Sequence, residues 1–123
     1  MPFRGSFRVL RPDGTERWRV DISDQSGASG PAAFDFEGDG IYEVVYADEQ
    51  SVFALRGTTG QSIYTSPRSS RTIFEYPVIA DVDNDGHANI VTVDNEPLLR
   101  TARGVKMLSN NDGQWANARR IWN

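Results

Sequence analysis

The sequence predicts an all-β chain built from repeated four-stranded antiparallel meanders. Short β-rich runs alternate with turn signals along its length, and helical periodicity is hard to find. Turn formers are abundant, at 11 Gly and 6 Pro, without low complexity. An acidic nine-residue stretch beginning at Asp35 also returns at Asp81, 46 residues later. Periods of roughly 20–50 residues belong to stacked arrays rather than to one compact globule.

The elements follow in order. Residues 7–11 read as a strand, and Pro12-Asp13-Gly14 turns it, Pro presetting φ and Gly supplying a positive one. Residues 16–21 return, with Trp18 and Val20 on one face. A small-residue connector over 23–31 leads to a strand at 32–34 and into the first acidic loop. Residues 44–47 leave the loop, 52–56 form the next strand, Gly57-Thr58-Thr59-Gly60 turns, and 61–65 closes a four-stranded unit. After a connector over 66–72 the order repeats: 77–80 enters the second loop, 90–93 leaves it, 95–102 is a longer turn that carries an insertion, 104–108 is the third strand, and 115–122 is expected as the last.

The first hairpin joins the series, since Leu10-Arg11 aligns with Leu55-Arg56, Gly14 with Gly60 and Trp18 with Tyr64. The chain therefore divides into residues 1–22, a half unit holding strands three and four; 31–65, a full unit with its loop; and 77–123, a full unit with its loop and a C-terminal strand. A 46-residue meander has the length of a β-propeller blade. One blade cannot bury both faces alone, and propellers close with about 4–8 blades. Some two and a half blades must then belong to a larger or oligomeric propeller. The leading half blade favours a piece of a longer polypeptide, because its strands want a first pair as neighbours.

Bulk properties narrow the function. Thirteen Lys and Arg against 17 Asp and Glu leave a net charge of −4, which argues against nucleic acid as a partner. Cysteine is absent, so disulfides and thiolate metal sites are excluded. No apolar run approaches the roughly 20 residues of a spanning helix. Residues 1–10 lack the continuous apolar core of a signal peptide, so any export signal is expected upstream of them.

The two loops read Asp35-Phe36-Glu37-Gly38-Asp39-Gly40-Ile41-Tyr42-Glu43 and Asp81-Val82-Asp83-Asn84-Asp85-Gly86-His87-Ala88-Asn89. Each offers side-chain oxygens at positions 1, 3, 5 and 9, with Gly at position 6 for a sharp bend. Hard divalent cations want such a shell. An EF-hand is excluded, because position 12 would hold Tyr46 or Thr92 instead of Glu. Turn-rich Asp, Asn and Gly also favour loops with no ion at all, but two copies at one spacing favour the ion.

The copies "AAFDFEGDGIYEVVYAD" and "VIADVDNDGHANIVTVD" resemble the FG-GAP repeat and the related VCBS repeats of bacterial surface proteins. The resemblance covers 31–65 and 77–108. It implies a β-propeller holding one Ca²⁺ in the turn between strands one and two of each such blade, on a secreted or cell-surface protein. Carried over by position, the ligands are Asp35, Glu37, Asp39, the Ile41 carbonyl and Glu43 in the first loop, and Asp81, Asp83, Asp85, the His87 carbonyl and Asn89 in the second. Glu37 is one methylene longer than the usual Asp, and Asn89 replaces a charged ligand, which predicts weaker binding at the second loop. The tail from Trp115 to Asn123 is more loosely similar to tails following such repeats. Residues 54–64 also resemble the blade-docking motif of quinoprotein propellers, with Arg56 where that motif has Asp and Tyr64 where it has Trp. That motif packs blades and performs no chemistry.

His87 has no partner in sequence pattern for acid–base work or zinc binding. Trp18, Trp115 and Trp122 are expected to pack between blades rather than line a sugar site. Arg119-Arg120 is read as a solvated or salt-bridged pair. The expected function is a calcium-binding propeller module for protein or glycan binding and scaffolding, not an enzyme, with other blades as partners. The alternatives are a carbohydrate-binding lectin propeller and a fragment of a quinoprotein-like or lyase enzyme.

Overall fold

A computed structural model describes residues 5–71, 74–95 and 103–120. Within them nine strands form three antiparallel sheets of two, four and three strands. The first pairs β1 (Gly5–Leu10) with β2 (Glu16–Ile22). The second is a meander of β3 (Ala32–Phe34), β4 (Glu43–Ala47), β5 (Ser51–Arg56) and β6 (Ser62–Pro67). The third orders β7 (Val78–Ala80), β8 (Asn89–Asn95) and β9 (Arg103–Leu108). The all-β expectation holds, and no described helix is long and apolar enough to cross a membrane.

The repeat extends to irregularities. The register slips between Val9 and Leu10 in the first sheet and between Ala54 and Leu55 in the second, at matching places. The turns beyond differ by one residue: Arg11 N bonds Thr15 O, whereas Arg56 N bonds Gln61 O. That extra residue accounts for the alignment offset growing from 45 to 46 across the turn.

Alternation along the strands gives each sheet two faces. Val45, Ala47, Val52 and Ala54 meet Ile90, Ala88 and Leu108 of the third unit, with Phe36 and Trp115 completing the core. On the other face Tyr46 packs against Phe7, ring centroids 4.8 Å apart, and Trp18 donates from Nε1 to Gly57 O at 2.9 Å. Gly60 is required beneath Trp18: φ is +74°, and a Cβ there would lie 2.6 Å from the indole. Trp18 and Trp115 are thus buried between sheets, as expected.

The last strand departs from expectation. Residues 115–120, the described part of the expected strand over 115–122, form no strand and leave the third sheet with three. The segment crosses to the acidic loops, where its peptide groups find partners. Residues 96–102 of the expected insertion, and Trp122, lie outside the described residues.

Candidate metal centre

Each acidic loop joins the first two strands of its sheet, β3 to β4 and β7 to β8. Three hydrogen bonds recur in both loops, and a fourth differs in its donor. The position 1 carboxylate accepts from the position 6 amide: Gly40 N to Asp35 at 2.8 Å, Gly86 N to Asp81 at 3.1 Å. Its other oxygen accepts from Asp39 N at 3.1 Å in the first loop and from Asn84 N at 2.7 Å in the second. Position 5 accepts from position 7: Ile41 N to Asp39 and His87 N to Asp85, both 2.8 Å. Position 9 reaches back to position 2: Phe36 N donates to Glu43 at 2.9 Å and Val82 N to Asn89 at 2.7 Å.

Glycine at position 6 does what the sequence implies, with φ of +85° at Gly40 and +94° at Gly86. Position 4 is also left-handed, +68° at Gly38 and +67° at Asn84. Gly and Asn are the residues that tolerate this conformation. The shared position 4 demand was readable from that pair.

Among the described residues, Asp81, Asp83 and Asp85 form one group able to hold a metal ion, each offering a carboxylate oxygen within 4.8 Å of the others. Oxygens bound to one Ca²⁺ at about 2.3–2.6 Å can lie up to about 5 Å apart, so the spacing suits that ion. Asp81 is buried, while Asp83 and Asp85 face solvent. Asn89 is less available than its position suggests: Oδ1 is taken by Val82 N, and Nδ2 donates to Ser109 Oγ at 2.9 Å. His87 serves through its ring as well as its backbone, Nδ1 lying 2.8 Å from Trp115 O.

The first loop differs. Arg56, at the end of β5 and in register with Glu43, lies 2.5 Å from Glu37 and 3.6 Å from Asp39. Glu43 is fully buried; one oxygen takes Phe36 N, and Oε1 has no hydrogen-bond partner. Burial pushes its carboxyl above the ordinary range, and the neighbouring Glu37, Asp39 and Asp35 push the same way against the Phe36 bond. An unpartnered buried carboxylate oxygen is costly, and a cation would satisfy it.

The tail joins the two loops. Ala116 N donates to Phe36 O in the first at 2.8 Å, and Ala116 O accepts from Ala88 N in the second at 3.0 Å. Ala118 N donates to Gly86 O at 3.2 Å, and Asp81 N to Arg119 O at 2.9 Å. Trp115 packs tilted against Phe36 and edge-to-face against Tyr64, centroids 4.9 and 5.4 Å away. Neither the Arg56 contacts nor this bridge was anticipated. A sequence signal for the first existed: where loop one has Glu43 and Arg56, loop two has Asn89 and Ser109, a paired difference in charge.

No protein-family model matches the chain, and no curated protein matches it. Among solved structures, the crystal structure of the V. cholerae biofilm matrix protein Bap1 is similar, with a TM-score of 0.77 and 33% identity over 96% of this chain. The chain spans 20% of that protein's chain.

Proposed function

We propose that this chain is a calcium-stabilised portion of a β-propeller, acting outside the cell as a binding and scaffolding module for a protein or glycan. The carrying observation is one loop built twice, with three carboxylates gathered within 4.8 Å in the second copy and Glu43 Oε1 left buried and unpartnered in the first. The ion would rest on Asp81, Asp83 and Asp85 in the second loop, and on Asp35, Glu37, Asp39 and Glu43 in the first. The Ile41 and His87 carbonyls are the further ligands that the FG-GAP resemblance implies. Such an ion neutralises the loops and fixes the β3–β4 and β7–β8 hairpins. Its role is structural rather than catalytic, since loop oxygens fill its shell.

Two further observations support the propeller reading. The antiparallel sheets follow one another along the chain, the second and third sharing one core, and the third keeps an apolar outer face. Val78, Val91 and Met107 stand across from one another in register, as do Val93 and Val105, on the face turned from the second sheet. Val105 is 75% exposed and Met107 47%. A neighbouring blade would cover that apolar face. The likeness to a biofilm matrix protein five times as long supports the extracellular address and the larger assembly.

Calorimetric titration with Ca²⁺, paired with thermal unfolding in Ca²⁺ and in EDTA, tests the reading. Saturable binding at both loops and a higher melting temperature with Ca²⁺ are expected. No binding, together with melting indifferent to chelator, would remove it.

A further inference from the structure

The first loop brings a cation of its own. It holds four carboxylates, Asp35, Glu37, Asp39 and Glu43, where the second holds three, Asp81, Asp83 and Asp85. Arg56 stands in register across from Glu43 and places its guanidinium on Glu37 and Asp39. The matching place after Leu108 is Ser109, whose hydroxyl accepts from Asn89 Nδ2. The exchange of Glu43 and Arg56 for Asn89 and Ser109 therefore replaces two opposite charges with two neutral groups joined by a hydrogen bond. Both constellations carry the same net charge, but only the first spends a guanidinium on the oxygens that a divalent ion would claim.

We infer that Arg56 is the resident counter-cation of the first loop and sets its divalent affinity, so that an incoming ion must displace the guanidinium and the second loop loads first. This rests on the reading of the loops as ion sites. It reverses the order that the ligand sets suggest by themselves, in which Asn89 makes the second loop weaker. Glu43 Oε1, buried and unpartnered, is the second sign that the first loop awaits an ion: Arg56 engages Glu37 and Asp39 and leaves that oxygen unmet. Arg56 is partly exposed, with 27% of its side chain accessible, so the guanidinium has a route into solvent when displaced.

The experiment is calorimetric titration of Ca²⁺ into the chain with the second loop silenced by Asp81→Asn and Asp83→Asn, compared with the same chain carrying Arg56→Ser or Arg56→Lys. Arg56→Ser should tighten binding at the first loop on the order of fivefold, the scale of one partly exposed ion pair. Arg56→Lys, which keeps the charge, should stay near the parent. Unchanged or weaker binding in Arg56→Ser overturns the inference while leaving the ion site standing. Absence of binding in every chain, the unaltered one included, overturns the ion-site reading itself and the inference with it. The unaltered chain supplies a second measurement that needs no variant. The Arg56 Nε–H resonance should shift as Ca²⁺ fills the first loop, and a resonance unmoved through saturation overturns the displacement.

Discussion

The two acidic loops share a backbone and differ in what neutralises it. In both, the position 1 carboxylate holds the position 6 amide, position 5 holds position 7, and position 9 closes back on position 2. The second loop closes with a neutral amide, Asn89, whose remaining nitrogen finds Ser109. The first closes with a buried carboxylate, Glu43, one oxygen of which has no partner, while Arg56 pairs with the two acids beside it. Peptide hydrogen bonds thus specify the shape, and the side chains around it decide how strongly charge must be answered from outside.

The comparison can be broken most severely at the brace both loops share. Trp115→Ala empties the contact with Phe36 and Tyr64, and should lower unfolding free energy by about 3–5 kcal/mol in a denaturant titration. A loss well under 1 kcal/mol would mean that the loops do not lean on this side chain. Next in size is the ion. At a free concentration about a hundredfold above its dissociation constant, Ca²⁺ should add about 2–3 kcal/mol per site, and Asp81→Asn should remove the second loop's share. Retention of the full increment by that variant would take the second loop out of the account. Smaller, and opposite in sign with and without ion, is Glu43→Gln. In EDTA it should stabilise by about 1 kcal/mol, since an amide nitrogen beside Asp35, Glu37 and Asp39 replaces the unpartnered oxygen; in Ca²⁺ it should weaken binding at the first loop. A variant that destabilises in EDTA would show that Glu43 needs no cation.

The smallest effect comes from a control carboxylate that closes a loop without any metal. Burial opposes the charge of Asp24, but the Tyr46 hydroxyl, Ser26 and the Gly27 amide outweigh it and hold the carboxyl below the ordinary range. A depressed native value means that the contribution to stability is present above the unfolded value of about 3.9 and fades as pH falls through the native one. The stability difference between the parent and Asp24→Asn should shrink below about pH 4, equally in Ca²⁺ and EDTA. A difference that changes with the ion would join Asp24 to the loops.

Local rules explain what could be read in advance. Strand alternation, the turn glycines and the 46-residue recurrence are properties of neighbours in sequence, and they led to the sheets and to both loops. The tail could not be read the same way. By its place in the repeat the segment from Trp115 suits an outer strand, yet its peptide groups meet Phe36, Gly86 and Ala88 once the sheets are stacked. Arg56 lay between these cases. As a solitary residue it looked like a departure from a blade-docking motif, and it becomes a loop residue only through its register with Glu43.

Ala116 binds one loop through its N–H and the other through its C=O. Tension arriving along the chain from beyond Arg119 would therefore be shared between two sheets, through several peptide bonds loaded together, before any strand is peeled from its neighbour. In the extracellular scaffolding role proposed above, such a stitch would turn the weakest direction of a stacked array, the opening of one sheet from the next, into one that must break in several places at once.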